Sequence, residues 1–181
     1  MMKVWSLGGP SSIKTKDYYT PNQKERIDKK VSNDIYTLDL ETSSLFYLDG
    51  EFKSFDYSRP PEEYQDIEKV SVPYIYMFGI NDSVNYGREI TELEQIFKDI
   101  YEEDIIKICY IHNLSYEMQF LLNIFAGKYK ICNMVCRDIH KPIQFEVPEL
   151  NLIFRCSYML TNMTLENAAL EYTLADQKSV V

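Results

Sequence analysis

Between Ile105 and Ile111 the chain carries the apolar run Ile-Ile-Lys-Ile-Cys-Tyr-Ile, closed by the polar break His112-Asn113. Such a run is typical of a strand buried on both faces, which needs helices and neighbouring strands to cover it. The flanking sequence supplies both. From Thr91 to about Glu103 the residues Leu93, Ile96, Phe97, Ile100 and Tyr101 recur at helical spacing, and Thr91 with Glu94 forms a capping-box pattern. After the break, Tyr116, Phe120, Leu121, Ile124 and Phe125 predict the buried stripe of a second helix, with Gly127 as its stop.

Upstream, Ile35 to Glu41 alternates as a strand does, and Thr42 to about Lys69 reads as an insertion or long loop. Val70–Ile80 and Ser83–Arg88 are β-rich, with Asn81-Asp82 between them as hairpin chemistry. Downstream come short β segments near Tyr129–Met134, Ile143–Val147 and Asn151–Cys156, then a helix over Thr164–Tyr172. This order predicts an α/β domain with a mixed sheet flanked by helices. Residues 1–33, rich in Lys, Ser, Asp, Asn and Pro, read as a polar lead-in with one short helix around Asn22–Lys30, and residues 34–181 as the domain itself.

Composition narrows the function. The 181 residues are 45% hydrophobic and 26% charged, with 15 Tyr, 9 Phe and 1 Trp available for large buried contacts, which excludes a disordered chain. Nineteen basic against 28 acidic side chains give a net charge of −9, so a nucleic-acid role must rest on a local site rather than on a basic surface. No apolar run approaches the ~20 residues of a membrane span. Cys109, Cys132, Cys136 and Cys156 form no dense disulfide pattern and no signal peptide opens the chain, which predicts a reducing, cytoplasmic setting.

The strongest chemical signal is Asp39-Leu40-Glu41. Side chains alternate along a strand, so Asp39 and Glu41 share one face while Leu38 and Leu40 take the other. Two carboxylates on a mostly buried strand repel unless they reach solvent or a cation lies between them, and hard oxygen ligands suit Mg²⁺ or Mn²⁺. Taken alone, the pattern also fits a strand end with two solvated acids. A second constellation puts His112 and Asn113 at the end of the buried strand and Glu117 in the first turn of the next helix. An acid there also suits the positive end of the helix dipole, and Asn113 or Ser115 could cap. If the two strands are neighbours, Asp39, Glu41 and Glu117 converge, and three converging acids predict a two-metal site.

Asp39-Leu-Glu-Thr42 resembles the first exonuclease motif, D-x-E-T, of family B DNA polymerases, and the stretch from His112 to Leu121 resembles the second motif of the protein-primed polymerases of linear phage and plasmid genomes. Leu152–Leu160 with Met163–Ala169 is similar to that family's "I-x-F-R-D-S" strand and its following helix. The similarity runs from about Asp34 to Tyr172. It implies an RNase H-like (DnaQ-like) 3′–5′ proofreading exonuclease domain at the start of a viral or plasmid DNA polymerase that takes part in DNA replication. Asp39, Glu41 and Glu117 would be the catalytic and metal-holding acids for two Mg²⁺ or Mn²⁺ ions, and Thr42, His112, Asn113, Tyr116 and Phe120 match positions that hold a single-stranded DNA 3′ end. The palm, fingers and thumb of the polymerase would be the partner. Two positions depart from the pattern. Glu117 stands where the family has Asp, one C–C bond of ~1.5 Å longer, and the chain stops before the third motif, Y-x-x-x-D, for which Tyr172–Asp176 follows the preceding strand too closely.

Other readings stay open at this level. The departures fit a degenerate nuclease fold that binds single-stranded DNA or a protein partner without cutting. A stand-alone exonuclease of the same superfamily would need a late acid, and Asp176 is the candidate. Cys132, Cys136 and His140 are spaced by four, but zinc sites usually show tighter cysteine pairs twice over, so buried thiols are the simpler reading. The acidic runs Glu62-Glu63 and Glu102–Asp104 read as solvated faces or helix ends.

Overall fold

The buried run becomes the middle strand of the sheet. A computed structural model describes residues 29–64, 67–138 and 141–172. The strands are β1 (Lys30–Val31), β2 (Tyr36–Leu48), β3 (Glu51–Ser54), β4 (Lys69–Ile80), β5 (Ser83–Gly87), β6 (Ile105–Ile111), β7 (Cys132–Cys136), β8 (Pro142–Val147) and β9 (Leu152–Cys156). The α-helices are α1 (Glu92–Asp99), α2 (Leu114–Phe125), α3 (Tyr158–Thr161) and α4 (Leu165–Tyr172). They build a mixed α/β fold around one nine-stranded sheet ordered β5-β4-β2-β6-β9-β8-β7, with β3 on β2 and β1 on β6. β6 runs parallel to β1, β2 and β9, and the remaining pairings are antiparallel. No helix among the described residues is long and apolar enough to cross a membrane.

One face of the sheet carries the core. Leu38 and Leu40 of β2, Tyr76 and Phe78 of β4, Cys109 and Ile111 of β6, and Phe154 of β9 pack against Leu93 and Phe97 of α1 and Leu114, Met118, Leu121 and Phe125 of α2. Phe97 sits fully buried at its centre, edge-on to Phe78 and Phe154 at 5.8 and 5.6 Å between ring centroids. Phe145 and Phe154 stack at 4.8 Å. Rings at these separations add to the burial of their apolar area.

The largest departure from the sequence reading lies between Thr42 and Lys69. Instead of a loop, β2 continues to Leu48, stays paired with β4 as far as Phe46↔Lys69, and turns back into β3. The turn is Asp49-Gly50, both at positive φ, the conformation a tight right-twisted hairpin requires. Phe46, Phe55 and Tyr64 then pack on one another, with Phe46 and Tyr64 buried. The aromatic packing gives the arm a small apolar cluster of its own.

Other elements fall near their predicted places with local changes. β1, inside the stretch read as a lead-in, pairs Lys30 with Ile105 and Val31 with Ile106. Residues 22–28 of the predicted short helix lie outside the described residues. α1 ends at Asp99, and its capping box does not form. Thr91 is itself helical in backbone and makes no side-chain cap, while Glu94 is held by Lys98 at 2.9 Å, by Tyr129 at 3.0 Å and by Lys128. The buried face of α2 is rotated from the predicted stripe. Leu114, Glu117, Met118, Leu121, Ile124 and Phe125 are buried, whereas Tyr116 and Phe120 are half-buried.

Candidate active site

β2 and β6 pair in parallel only over Tyr36–Leu38 and Cys109–Ile111. Beyond that, β6 ends and gives way to α2, while β2 runs on. Asp39 is the first residue of β2 past this pairing, so it sits at the carboxyl end of the parallel strands, where open α/β sheets place their ligand crevices. Two residues of turn, His112 and Asn113, carry the chain from β6 into α2, with Asn113 in the left-handed region at φ 60°. Asparagine tolerates that conformation better than most residues. Its Oδ1 accepts a 2.9 Å hydrogen bond from the Ser115 hydroxyl.

The tight turn brings the first turn of α2 against β2. The hydroxyls of Tyr116 and Thr42 are hydrogen-bonded to each other, and the Tyr116 ring lies edge-on to Phe120 at 5.5 Å. Glu117 is buried, only 5% exposed, and its Oε2 has no hydrogen-bond partner among the described residues. Burial raises its carboxyl, its own backbone N–H offsets part of this and the negative charge of Asp39 adds to it, which together bring it up to about 7. Glu117 and Asp39 are thus close enough to repel.

The predicted residues divide accordingly. Asp39 with Glu117, Thr42 with Tyr116, and Tyr116 with Phe120 are brought together. Glu41 lies on the same strand face as Asp39 but is exposed, and among the described residues no three His, Cys, Asp or Glu side chains gather as a metal-holding group. His112 turns the other way. Its Nδ1 is 3.3 Å from the Ser157 hydroxyl and its ring lies edge-on to Tyr158, at the end of β9. Sequence reasoning missed this pairing, although the position of Ser157 directly after a predicted strand was a usable signal. Cys109, Cys132 and Cys156 are buried and Cys136 exposed, all as free thiols. His140 and Asp176 lie outside the described residues.

A buried carboxylate with an unpartnered oxygen beside a second carboxylate is costly unless it takes up a proton or a cation, and hard oxygen donors of this kind suit a divalent ion. The residues present fit such an ion, with Asp39 and Glu117 as the donors. No protein-family model, curated protein or solved structure matches this chain.

Proposed function

We propose that the chain is an RNase H-like 3′–5′ exonuclease domain acting on single-stranded DNA ends, similar to the N-terminal portion of a protein-primed family B DNA polymerase. The observation that carries this reading is the buried Glu117 carboxylate, one oxygen of it without a hydrogen-bond partner among the described residues, within reach of the charge of Asp39 at the carboxyl end of the β2–β6 pair. Asp39, Glu41 and Glu117 would hold Mg²⁺ or Mn²⁺. When bound, the metal pair supplies an activated water and stabilises charge on the leaving 3′ oxygen. The protein's own part is positioning. The Thr42–Tyr116 hydrogen bond fixes α2 against β2, and the half-buried rings of Tyr116 and Phe120 offer faces for frayed bases, a contact indifferent to sequence. Asn113, which would also hold the DNA strand, starts the same helix, and His112 is paired with Ser157 at the end of β9.

The test is cleavage of a 5′-labelled single-stranded oligonucleotide in Mn²⁺. Stepwise shortening from the 3′ end that disappears in Asp39→Ala and Glu117→Ala supports the assignment, and cleavage unchanged in Asp39→Ala overturns it. A second reading, a non-cleaving fold that binds single strands, is favoured by one observation. Glu117 is held up to about 7, so near neutrality a large share of it carries a proton rather than a metal-binding charge. Oligonucleotide binding without any response to Mg²⁺ or Mn²⁺ would select that reading.

A further inference from the structure

The sheet face opposite the core points to a second contact for the substrate strand. Along β2, Leu38 and Leu40 face the helices, so Thr37, Asp39 and Glu41 point to the opposite face of the sheet, where Asp39, just past the end of β6, still lies within reach of the charge of Glu117 at the start of α2. The register carries this face sideways. Asp39 lies opposite Met77 of β4, and Met77 lies opposite Tyr86 of β5, so the three side chains form one lateral row. Tyr86, at the end of that row, is 79% exposed. With strands about 4.8 Å apart, its backbone is on the order of 10 Å from that of Asp39. That is farther than the nucleotide bearing a bond cut at Asp39, and within reach of the ones that precede it.

We infer that Tyr86 is a substrate-positioning residue, a stacking platform for an unpaired base upstream of the cleaved end; this rests on the exonuclease reading above. The strand would run along this face from Asp39, past Met77, to Tyr86. A tyrosine ring suits this task, and suits a chain of net charge −9, because base–aromatic stacking works on every base and needs no basic groove. Exposed Arg88, two residues farther along, adds one cation suited to a phosphate. Tyr86 is two strands away from Asp39, so its effect is confined to longer substrates.

Two probes in Mn²⁺ test this, the p-nitrophenyl ester of thymidine 5′-monophosphate and a ten-nucleotide oligo(dT). Tyr86→Ala should raise KM for the oligonucleotide on the order of tenfold, leave kcat and the hydrolysis of the mononucleotide ester unchanged, and be rescued by Tyr86→Phe. An unchanged KM, an equal loss on both probes, or failure of the Phe variant overturns it. So does a self-association of the unaltered protein, seen by sedimentation, that Tyr86→Ala abolishes without altering KM. Anisotropy of labelled oligo(dT) in Ca²⁺ separates the two ideas. If neither probe is cleaved yet Tyr86→Ala weakens oligo(dT) binding while Tyr86→Phe does not, the platform stands and the exonuclease reading falls. If hydrolysis proceeds and Tyr86→Ala alters neither KM nor binding, the platform falls alone.

Discussion

Glu117, in the first turn of α2, is buried where β6 ends and β2 runs on, and burial together with the charge of Asp39 holds its carboxyl up to about 7. The folded protein therefore binds this proton more tightly than the unfolded chain, whose carboxyl titrates near 4.5. The stabilising contribution is complete below about pH 4.5 and is lost as pH rises through about 7. Metal-free protein should lose stability over that window, on the order of 3 kcal/mol, and Glu117→Gln should abolish the loss. Urea unfolding at a series of pH values measures it. Asp39→Asn should lower the Glu117 titration midpoint, read from its side-chain carboxyl signal by NMR.

The Thr42–Tyr116 hydrogen bond is the direct tie between β2 and α2 at the site. Tyr116→Phe removes the hydroxyl and keeps the ring, so it should cost about 0.5–1.5 kcal/mol. Thr42→Val should cost a similar amount, and the double variant less than the two together, because both remove one bond. Chemical denaturation of the three variants measures the coupling.

Phe97 touches Phe78, Phe125 and Phe154 and has no solvent exposure. Phe97→Ala leaves a cavity between α1 and the sheet and should destabilise the protein by about 3–5 kcal/mol. Phe97→Leu should recover most of it. Thermal unfolding of both checks the order.

Asn151 ties the start of β6 to the loop before β9. Its Nδ2 donates to the carbonyls of Glu102 and Glu103 at 2.6 and 2.9 Å, its Oδ1 accepts from Lys29 Nζ at 2.8 Å, and its backbone is left-handed at φ 51°. Asn151→Ala should cost about 2–3 kcal/mol, combining lost hydrogen bonds with backbone strain. Asn151→Gly should cost less, because glycine adopts that backbone freely. Equilibrium unfolding distinguishes the two.

Local pattern marked the elements whose reasons are local. β6 was legible in its apolar run, β4 and β5 in their β-rich runs and Asn-Asp turn, and α2 in the apolar residues after His112-Asn113. The arm from Thr42 to Ser54 was not, because Ser43 and Ser44 are poor strand signals and β2 is held there by its partners on either side. The Leu48-Asp-Gly-Glu51 turn was the available clue. Tyr116 and Phe120 read as core by spacing alone, yet α2 is turned so that Glu117 is buried and they are only partly so.

By itself the sequence determined the α/β class, the order of most strands and helices, and the placement of Asp39, Glu41 and Glu117 on a strand and at a helix start. Only the tertiary structure decided that Asp39 lies within reach of the charge of Glu117, that Glu41 stays in solvent, that His112 turns toward Ser157, and that Tyr86 shares a row with Asp39. The reason is physical. Alternation and helical period are properties of neighbouring residues, whereas the meeting of residues 39 and 117 depends on where β2 outruns β6, a matter of sheet register and of the two-residue turn that starts α2.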